Sequence, residues 1–423
     1  MPLPAKHLRQ FTRGLMFSGL AIGAIAVQAD PAYIVTNGND SGPGSLRDAL
    51  ASGAGKIVIS PSLSVISITD TLIYSGTAPL DIHGTGQLVD GGRRGNTLLE
   101  VSEGADLAIT NLAFTDGGGY ELLDGGGEGI LLSVPKSRQG VVRLDLTNVK
   151  VTGVGDIGVH VLDCDIADCG NGNDSGGDGS AASVAVTLKG VQIHDVGQGQ
   201  FDADGLRVDE RGPGDISLRV ASSSFTRIGA DGIELDEGDG GDVILSLNGI
   251  VLADNGDYCA VVDIGNPEDP SCIDDGELDL DDGFDVDEAG AGSIIGRIVN
   301  AQVKDNLDEG LDFDESGDGG FDLQLVNIRA YNNADEGIKL SAEDSGDLLA
   351  RLNRVVVTDS DDDGVQIEQD GDGRVDVVVT GSFIGQNAKE DLKVEQSSDQ
   401  DPGTLKLRGS RIENVDLDNV EQI

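Results

Sequence analysis

Six glycine-centred segments recur along the chain in one register, and no other feature constrains the fold as tightly. They are Asp204-Gly205-Leu206, Asp231-Gly232-Ile233, Asp282-Gly283-Phe284, Glu309-Gly310-Leu311, Glu336-Gly337-Ile338 and Asp363-Gly364-Val365, at intervals of 27, 51, 27, 27 and 27 residues. A further 27 residues reach Asp391-Leu392. The interval of 51 is one period plus 24 residues, and the excess carries Cys259 and Cys272. Gly158 lies 47 residues before Gly205, one period plus 20, and that excess carries Cys164 and Cys169. A looser copy begins at Gly129. A period in this range marks a stack of identical supersecondary units.

Within each copy the apolar residues alternate with period two, which is the signature of strand and not of helix. Leu206-Arg207-Val208, Ile233-Glu234-Leu235, Phe284-Asp285-Val286 and Leu311-Asp312-Phe313 open successive copies. A Gly/Asp-rich turn follows, then a second alternating stretch such as Phe321-Asp322-Leu323-Gln324-Leu325, then a third short run such as Val355-Val356-Val357. Three strands and three turns make one triangular coil. A lone coil can neither bury its inward side chains nor pair its strand edges, and stacking does both. Equivalent residues then lie about 4.8 Å apart in vertical rows.

The repeated Asp/Glu-Gly-apolar-x-apolar strand starts resemble the pectin-lyase-like family of right-handed parallel β-helix proteins, over most of residues 57–395. The resemblance implies an all-β chain, a single-stranded right-handed parallel β-helix with three parallel sheets and about 27 residues per coil. It says little about activity, because one fold hosts many functions. Gly42-Pro43-Gly44-Ser45-Leu46-Arg47-Asp48-Ala49-Leu50 looks like the opening of many secreted bacterial β-helix proteins. Ser45 is placed to N-cap a short helix whose Leu46, Ala49 and Leu50 cover the open end of the core. Residues 30–56 are therefore expected to form a cap and residues 57–423 the β-helix, with inserted loops near 164–182 and 256–279. Leu405, Leu407, Ile412 and Leu417 suggest an irregular closing coil.

Residues 1–29 read as an export signal: Lys6, Arg9 and Arg13, an apolar stretch from Leu15 to Val27, and Val27-Gln28-Ala29 as a cleavage site. That stretch is short for a membrane span, so a secreted protein, extracellular or periplasmic, is expected. Removal of the signal takes the formal charge from −48 to −51. Such a surface repels nucleic acid and anionic lipid and calls for cations or basic partners. Two local disulfides, Cys164–Cys169 and Cys259–Cys272, each stapling an insertion, are the economical reading in an oxidising compartment, with a metal-thiolate site as the alternative.

Stacking converts repeated acids into ladders. Asp204, Asp231, Asp282, Glu309, Glu336 and Asp363 precede the glycines, and Asp209, Asp236, Asp287, Asp314 and Glu368 lie four residues after them. Carboxylates about 5 Å apart repel by about 0.8 kcal/mol in bulk water and by more where water is excluded. Calcium, which takes six to eight oxygen ligands, is the natural cation. Candidate ligands are Asp204, Asp231, Asp236, Asp239, Asp242, Asp282, Asp314, Asp318, Asp363, Asp370 and Asp372. The competing reading is that Asp before Gly makes turns and that dense acid only keeps the surface hydrated, as on a passive scaffold in salty water.

The outward column two residues after each glycine holds His160, Arg207, Glu234, Asp285, Asp312 and Lys339. A lyase acting on uronic acids needs a base and a cation, and Arg207, Glu234 and Lys339 are the catalytic candidates on that reading. The Gly-His-Gly and Arg-Ile-Lys segments of polygalacturonase-like hydrolases and the Asp-Pro-His-Asp segment of alginate epimerases do not occur. With no Trp and 14 Phe and Tyr in all, a stacking platform for neutral sugars is disfavoured. The preferred expectation is a monomeric, non-catalytic, calcium-binding protein that meets an anionic polysaccharide or a cell surface through cations. A calcium-assisted polysaccharide lyase, or another carbohydrate-active enzyme of the pectin-lyase-like family, is the alternative.

Overall fold

The structure, a computed structural model, describes residues 32–119, 126–164, 179–261, 270–274, 277–278, 280–397 and 401–423. The expected export signal and Cys169, and with it the expected Cys164–Cys169 pairing, lie outside these residues, as does most of the first inserted loop.

Glycines that precede the first strand of each coil set the register. Gly205, Gly232, Gly283, Gly310 and Gly337 stack so closely that a Cβ on Gly232 would sit 2.5 Å from the carbonyl oxygen of Gly283, and one on Gly283 2.4 Å from that of Gly310. No side chain fits there, so the glycines form one column and the strands after them pair in parallel: Leu206 with Ile233, Ile233 with Phe284, and Ile338 with Val365 and then Leu392 through Val365. Twelve strands build this sheet, from Leu72–Tyr74 to Val415–Asp418. The chain is a parallel β-helix.

Among the described residues the other strands form a single sheet of 22, where two separate sheets were expected, apart from the short antiparallel pair Ile273–Asp274 and Glu277–Leu278 in the second insertion. The cause lies in the corner between the second and third strand of each coil. That corner is one residue in the left-handed region, Asn148 (φ 51°), Ser222 (φ 53°), Asn300 (φ 57°) or Asn327 (φ 55°) in successive examples. So tight a corner does not interrupt pairing, and Ile216–Ile228 runs through both rows as one strand. Asn and Gly dominate because they tolerate this conformation. The asparagines also bond along the stack, Asn327 Nδ2 donating to Asn300 Oδ1 at 2.6 Å and Asn300 Nδ2 to Asn248 Oδ1 at 2.8 Å.

The next corner uses left-handed Asp254, Asp305, Asn332 and Asp359, each followed by a buried polar residue: Asn255, Asn306, Asn333 and Ser360. Here the backbone N–H of Asn306 and its Nδ2 both donate to Asn333 Oδ1, at 3.3 and 3.0 Å, and the Asn255 N–H donates to Asn306 Oδ1 at 3.4 Å. The buried backbone N–H groups of Asn255 and Asn306 are thus satisfied by the next coil, while Nδ2 of Asn255 and of Asn333 stays without a partner among the described residues.

Aliphatic rows fill the interior, with Phe284 and Phe313 meeting edge to face at 5.0 Å between centroids. The capping helix is present at Leu46–Ala51, with Ser45 Oγ accepting the Asp48 N–H at 3.2 Å and Leu46, Ala49 and Leu50 buried. Parallel pairing already begins within the expected cap, where Tyr33–Val35 pairs with Lys56–Ile59. At the other end Leu405 is buried, and Leu407, Ile412 and Leu417 pack half-buried on the core. The second insertion contains a helix at Asp257–Val261 and the Cys259–Cys272 disulfide. Cys164 is also disulfide-bonded.

Replacing Asn306 by Ala leaves the buried Asn255 N–H without its acceptor and removes a donor from Asn333. Asn306→Ala is expected to destabilise the protein by about 1–3 kcal/mol, seen as a lower urea midpoint and as faster amide exchange concentrated at the adjoining coils.

Candidate functional site

Alternation along the first strand of each coil sends the second and fourth residues after the glycine outward. The register aligns His160, Arg207, Glu234, Asp285, Asp312 and Lys339 in one column, and Asp209, Asp236, Asp287, Asp314 and Ser341 in the next. The acids before the glycines make a third. These columns are far more enclosed than an ordinary surface.

At the upstream end the acids are met by protein cations. Arg207, 3% exposed, donates through Nε to Asp209 at 3.0 Å and through Nη1 to Asp202 and Asp204 at 3.0 and 3.2 Å, and its Nη1 also forms an ion pair with Glu234 at 2.8 Å. Arg211 Nη2 donates to Asp236 at 2.6 Å. His160 is clamped between Glu128 (Nδ1, 2.7 Å) and Asp209 (Nε2, 2.6 Å). Burial works against its charge, but the hydrogen bonds from these two carboxylates prevail and raise its pKa to about 10. At the downstream end Lys339 Nζ donates to Asp312 at 2.7 Å and Glu309 at 3.2 Å. Burial opposes its charge too, and Asp312, Asp314 and Glu309 outweigh that and hold it protonated.

Between Arg207 and Lys339 the compensation fails. Among the described residues no cation comes within ion-pair distance of Asp231, Asp282, Asp285 or Asp287. Asp282 and Asp312 each keep an Oδ1 that is buried and without any hydrogen-bond partner. Carboxylate oxygens of Asp282, Asp285 and Asp312 lie within 4.8 Å of one another, and so do those of Asp282, Asp308 and Glu309. Burial foremost, and then Glu309 for Asp282, Asp287 for Asp285 and Asp314 for Asp312, push these three carboxyls well above the usual range. Groups in this position hold a proton or a cation. The same arrangement recurs one coil at a time downstream, in Glu309–Asp335–Glu336 and Glu336–Asp362–Asp363. A cavity of about 380 Å³ opens beside Lys339, lined also by Asp287, Glu288, Asp314, Glu315, Ser341 and Glu343. A larger one of about 630 Å³ lies at a different corner, against Asp257 of the inserted loop, with Arg227 already paired to Asp195 in its wall.

Of the candidate ligands, Asp204, Asp282 and Asp363 belong to converging clusters, the first with Asp202 and Glu234 around Arg207. Asp231, Asp236, Asp239, Asp242, Asp314, Asp318, Asp370 and Asp372 belong to none among the described residues. Several of these tie coils together instead. Asp231 Oδ1 accepts the Asp282 N–H at 2.5 Å, Asp242 Oδ1 the Ser293 N–H at 3.1 Å, and Asp318 and Asp370 accept hydroxyls of Ser345 and Ser397 at 2.9 and 2.7 Å. The catalytic candidates are not brought together: Arg207 and Glu234 touch, while Lys339 stands three coils further on, beyond Asp285 and Asp312. Overlooked in the sequence were Asp308, Asp335 and Asp362, the first members of acidic doublets before the glycine. Their signal was present, since Asp-Glu-Gly or Asp-Asp-Gly repeats in register.

Fold and face together define the chain as an acidic parallel β-helix protein. No family model and no curated protein matches it. Among solved structures it is similar to pectate lyase Pel9A, at 15% identity over 92% of this chain and 79% of that one with a TM-score of 0.38. It is also similar to a GH136 lacto-N-biosidase from Eubacterium ramulus, at 11% identity over 93% and 68% with a TM-score of 0.47. The periplasmic alginate epimerase AlgG matches at 13% identity over 77% and 76% with a TM-score of 0.33. Likeness at these identities concerns the fold alone.

Removing the His160 charge strands Glu128 in a buried site and leaves Asp209 to Arg207. His160→Gln is expected to cost about 3–5 kcal/mol in urea denaturation. Because the folded pKa of His160 is raised, the wild-type advantage is full below about pH 6.5 and is lost as the pH rises through about 10.

Proposed function

We propose that this protein is a secreted, non-catalytic β-helix that binds calcium on its acidic face and associates through bound calcium with an anionic polysaccharide or a cell surface. The carrying observation is the pair of buried, partnerless carboxyl oxygens on Asp282 and Asp312: among the described residues Asp282 has no cation within ion-pair distance, and Lys339 reaches only the other oxygen of Asp312. Asp285, Asp308 and Glu309 surround them with further oxygen donors, the ligand type calcium takes. A face of this sign repels an anionic polymer unless cations intervene. Export is supported by the basic-then-apolar leader of residues 1–29 and by the Cys259–Cys272 disulfide.

Burial argues against chemistry at Arg207 and Glu234, which neutralise each other and present almost no surface to a substrate. Lys339, held protonated, is no base in this state. One observation favours the lyase alternative: Lys339 borders a cavity large enough for a sugar unit next to the candidate calcium ligands.

Thermal melting with calcium, magnesium and chelator, followed by incubation with uronic-acid polymers, separates the readings. Calcium at a hundred times its dissociation constant is expected to add about 2.7 kcal/mol of stability. Asp282→Asn is expected to melt higher than the wild type in chelator, because it relieves repulsion, and to lose the calcium increment. Equal stabilisation by calcium and magnesium, or a full increment in Asp282→Asn, contradicts the proposed site. Formation of unsaturated product selects the lyase.

A further inference from the structure

The same strands carry a second set of acids on their inner side. Alternation turns the fifth residue after the glycine inward, and there Glu210, Glu237, Glu288 and Glu315 stack in register, at most 1% exposed. Each of the last three closes the following turn, its Oε1 accepting the N–H of Gly241, Gly292 or Gly319 at 2.9, 3.0 and 3.0 Å. No lysine, arginine or histidine forms a described ion pair with any of the four. The second oxygens of Glu288 and Glu315 are buried without a partner. Glu237 lies within hydrogen-bonding reach of Glu210 on one side and Glu288 on the other. Two carboxyl groups share a hydrogen bond only when a proton lies between them.

The chain supplies its own comparison further along this row, where the register continues through Ala342 to Gln369 and Gln396. Gln369 Oε1 accepts the Gly371 N–H at 2.7 Å while its Nε2 donates to the Gly346 carbonyl at 3.1 Å. Gln396 Oε1 accepts the Val375 N–H at 3.0 Å while its Nε2 donates to the Asp401 carbonyl at 3.2 Å. A neutral carboxamide, whose acceptor and donor are divided between its own turn and the neighbouring coil, therefore suits the position. A protonated glutamate has nearly the same shape and the same two capacities, and a carboxylate lacks the donor.

We propose that Glu210, Glu237, Glu288 and Glu315 form a proton-loaded column, neutral when the protein is fully stable, whose deprotonation in alkaline surroundings loosens the corner that backs the acidic face. The groups facing the column favour the proton. Asp163 faces Glu210, Asp242 faces Glu288, and Asp318 and Asp344 face Glu315, while the Arg211 side chain passes over Gly238 and is engaged by Asp236. Burial first, and then the acids beside each group (Glu210 and Glu288 for Glu237, Asp163 for Glu210, Glu288 for Glu315 and Asp242 for Glu288), raise Glu237 to about 10, Glu210 and Glu315 to about 8 and Glu288 to about 7. Folded pKa values above the unfolded one mean that the folded state holds extra protons. The column's contribution is thus full below about pH 4.5 and is lost as the pH rises through about 7 to 10. Glu288 and Glu315 border the cavity beside Lys339, but among the described residues the column shares no converging cluster with Asp282, so melting in chelator and in calcium keeps the two readings apart.

The test uses the full chain, wild type and Glu237→Gln, Glu288→Gln and Glu315→Gln singly and combined. Melting is followed from about pH 5 to about pH 10 in chelator and in calcium. Carbon-13 NMR of glutamate-labelled protein at neutral pH reports which side chains are neutral, and on the wild type it needs no variant to fold. The expected results are neutral glutamate signals that disappear one by one in the variants, and an alkaline fall in melting temperature that is shallower in each variant, so that the combined variant melts several degrees higher near pH 9. Three results would overturn the proposal: only carboxylate signals at neutral pH, an alkaline fall equally steep in the variants, or wild-type protein restored at alkaline pH by calcium while the variants are not. The last would make the column a cation site.

Discussion

Everything in this molecule depends on how closely one coil lies on the next at the glycine column. With carbonyl oxygens of Gly283 and Gly310 filling the space where Cβ atoms would be, the strands after Gly232 and Gly283 have no freedom to slip. A slip of one residue would also exchange the aliphatic interior for the acidic exterior, because side chains alternate with period two. Register is therefore held both by sterics at one point and by burial along the whole strand. Its consequence is electrostatic: whatever charge sits at a position in one coil is placed about 4.8 Å from its equivalent in the next.

A stack that repeats acids in this way must find countercharge, and the molecule finds it differently in each place. Around Arg207 and His160 it comes from buried cations, which lock four coils together. Behind the sheet, at Glu237 and its neighbours, it comes from protons. Across Asp282, Asp285 and Asp312 neither is sufficient, and that is where a calcium ion fits the chemistry. Carboxylates such as Asp231 and Asp242, by contrast, are consumed as acceptors for the backbone of the next coil. Acid content by itself therefore does not locate a binding site; the balance of donors around each acid does.

The fold was legible in the sequence because its determinants are local and repeated. The interval of 27, the Ser45 cap and the extra length around Cys259 and Cys272 each carry a one-to-one structural meaning. The joining of two strand rows into one sheet was less legible, since it turns on single left-handed residues such as Ser222 and Arg354 that have no turn-forming signature. The site was legible only as columns. Spacing shows that Asp236 and Asp287 are stacked, but not that Arg211 reaches the first and no cation the second. The inner glutamates were the least legible, because a charged residue one or two positions before a glycine reads as solvent-exposed turn. Parity counted from Gly205 to Glu210 would have turned it inward.

In-register stacking can be measured directly with nitroxide labels at exposed positions of the third strand row, where Gln302 pairs with Arg329 and Arg329 with Val356. Labels at 302 and 329 should show strong dipolar broadening, from backbones about 4.8 Å apart, and labels at 302 and 356 weaker broadening, from twice that separation. Absence of broadening in the first pair, or equal broadening in both, would contradict the stack and with it the columns of charge.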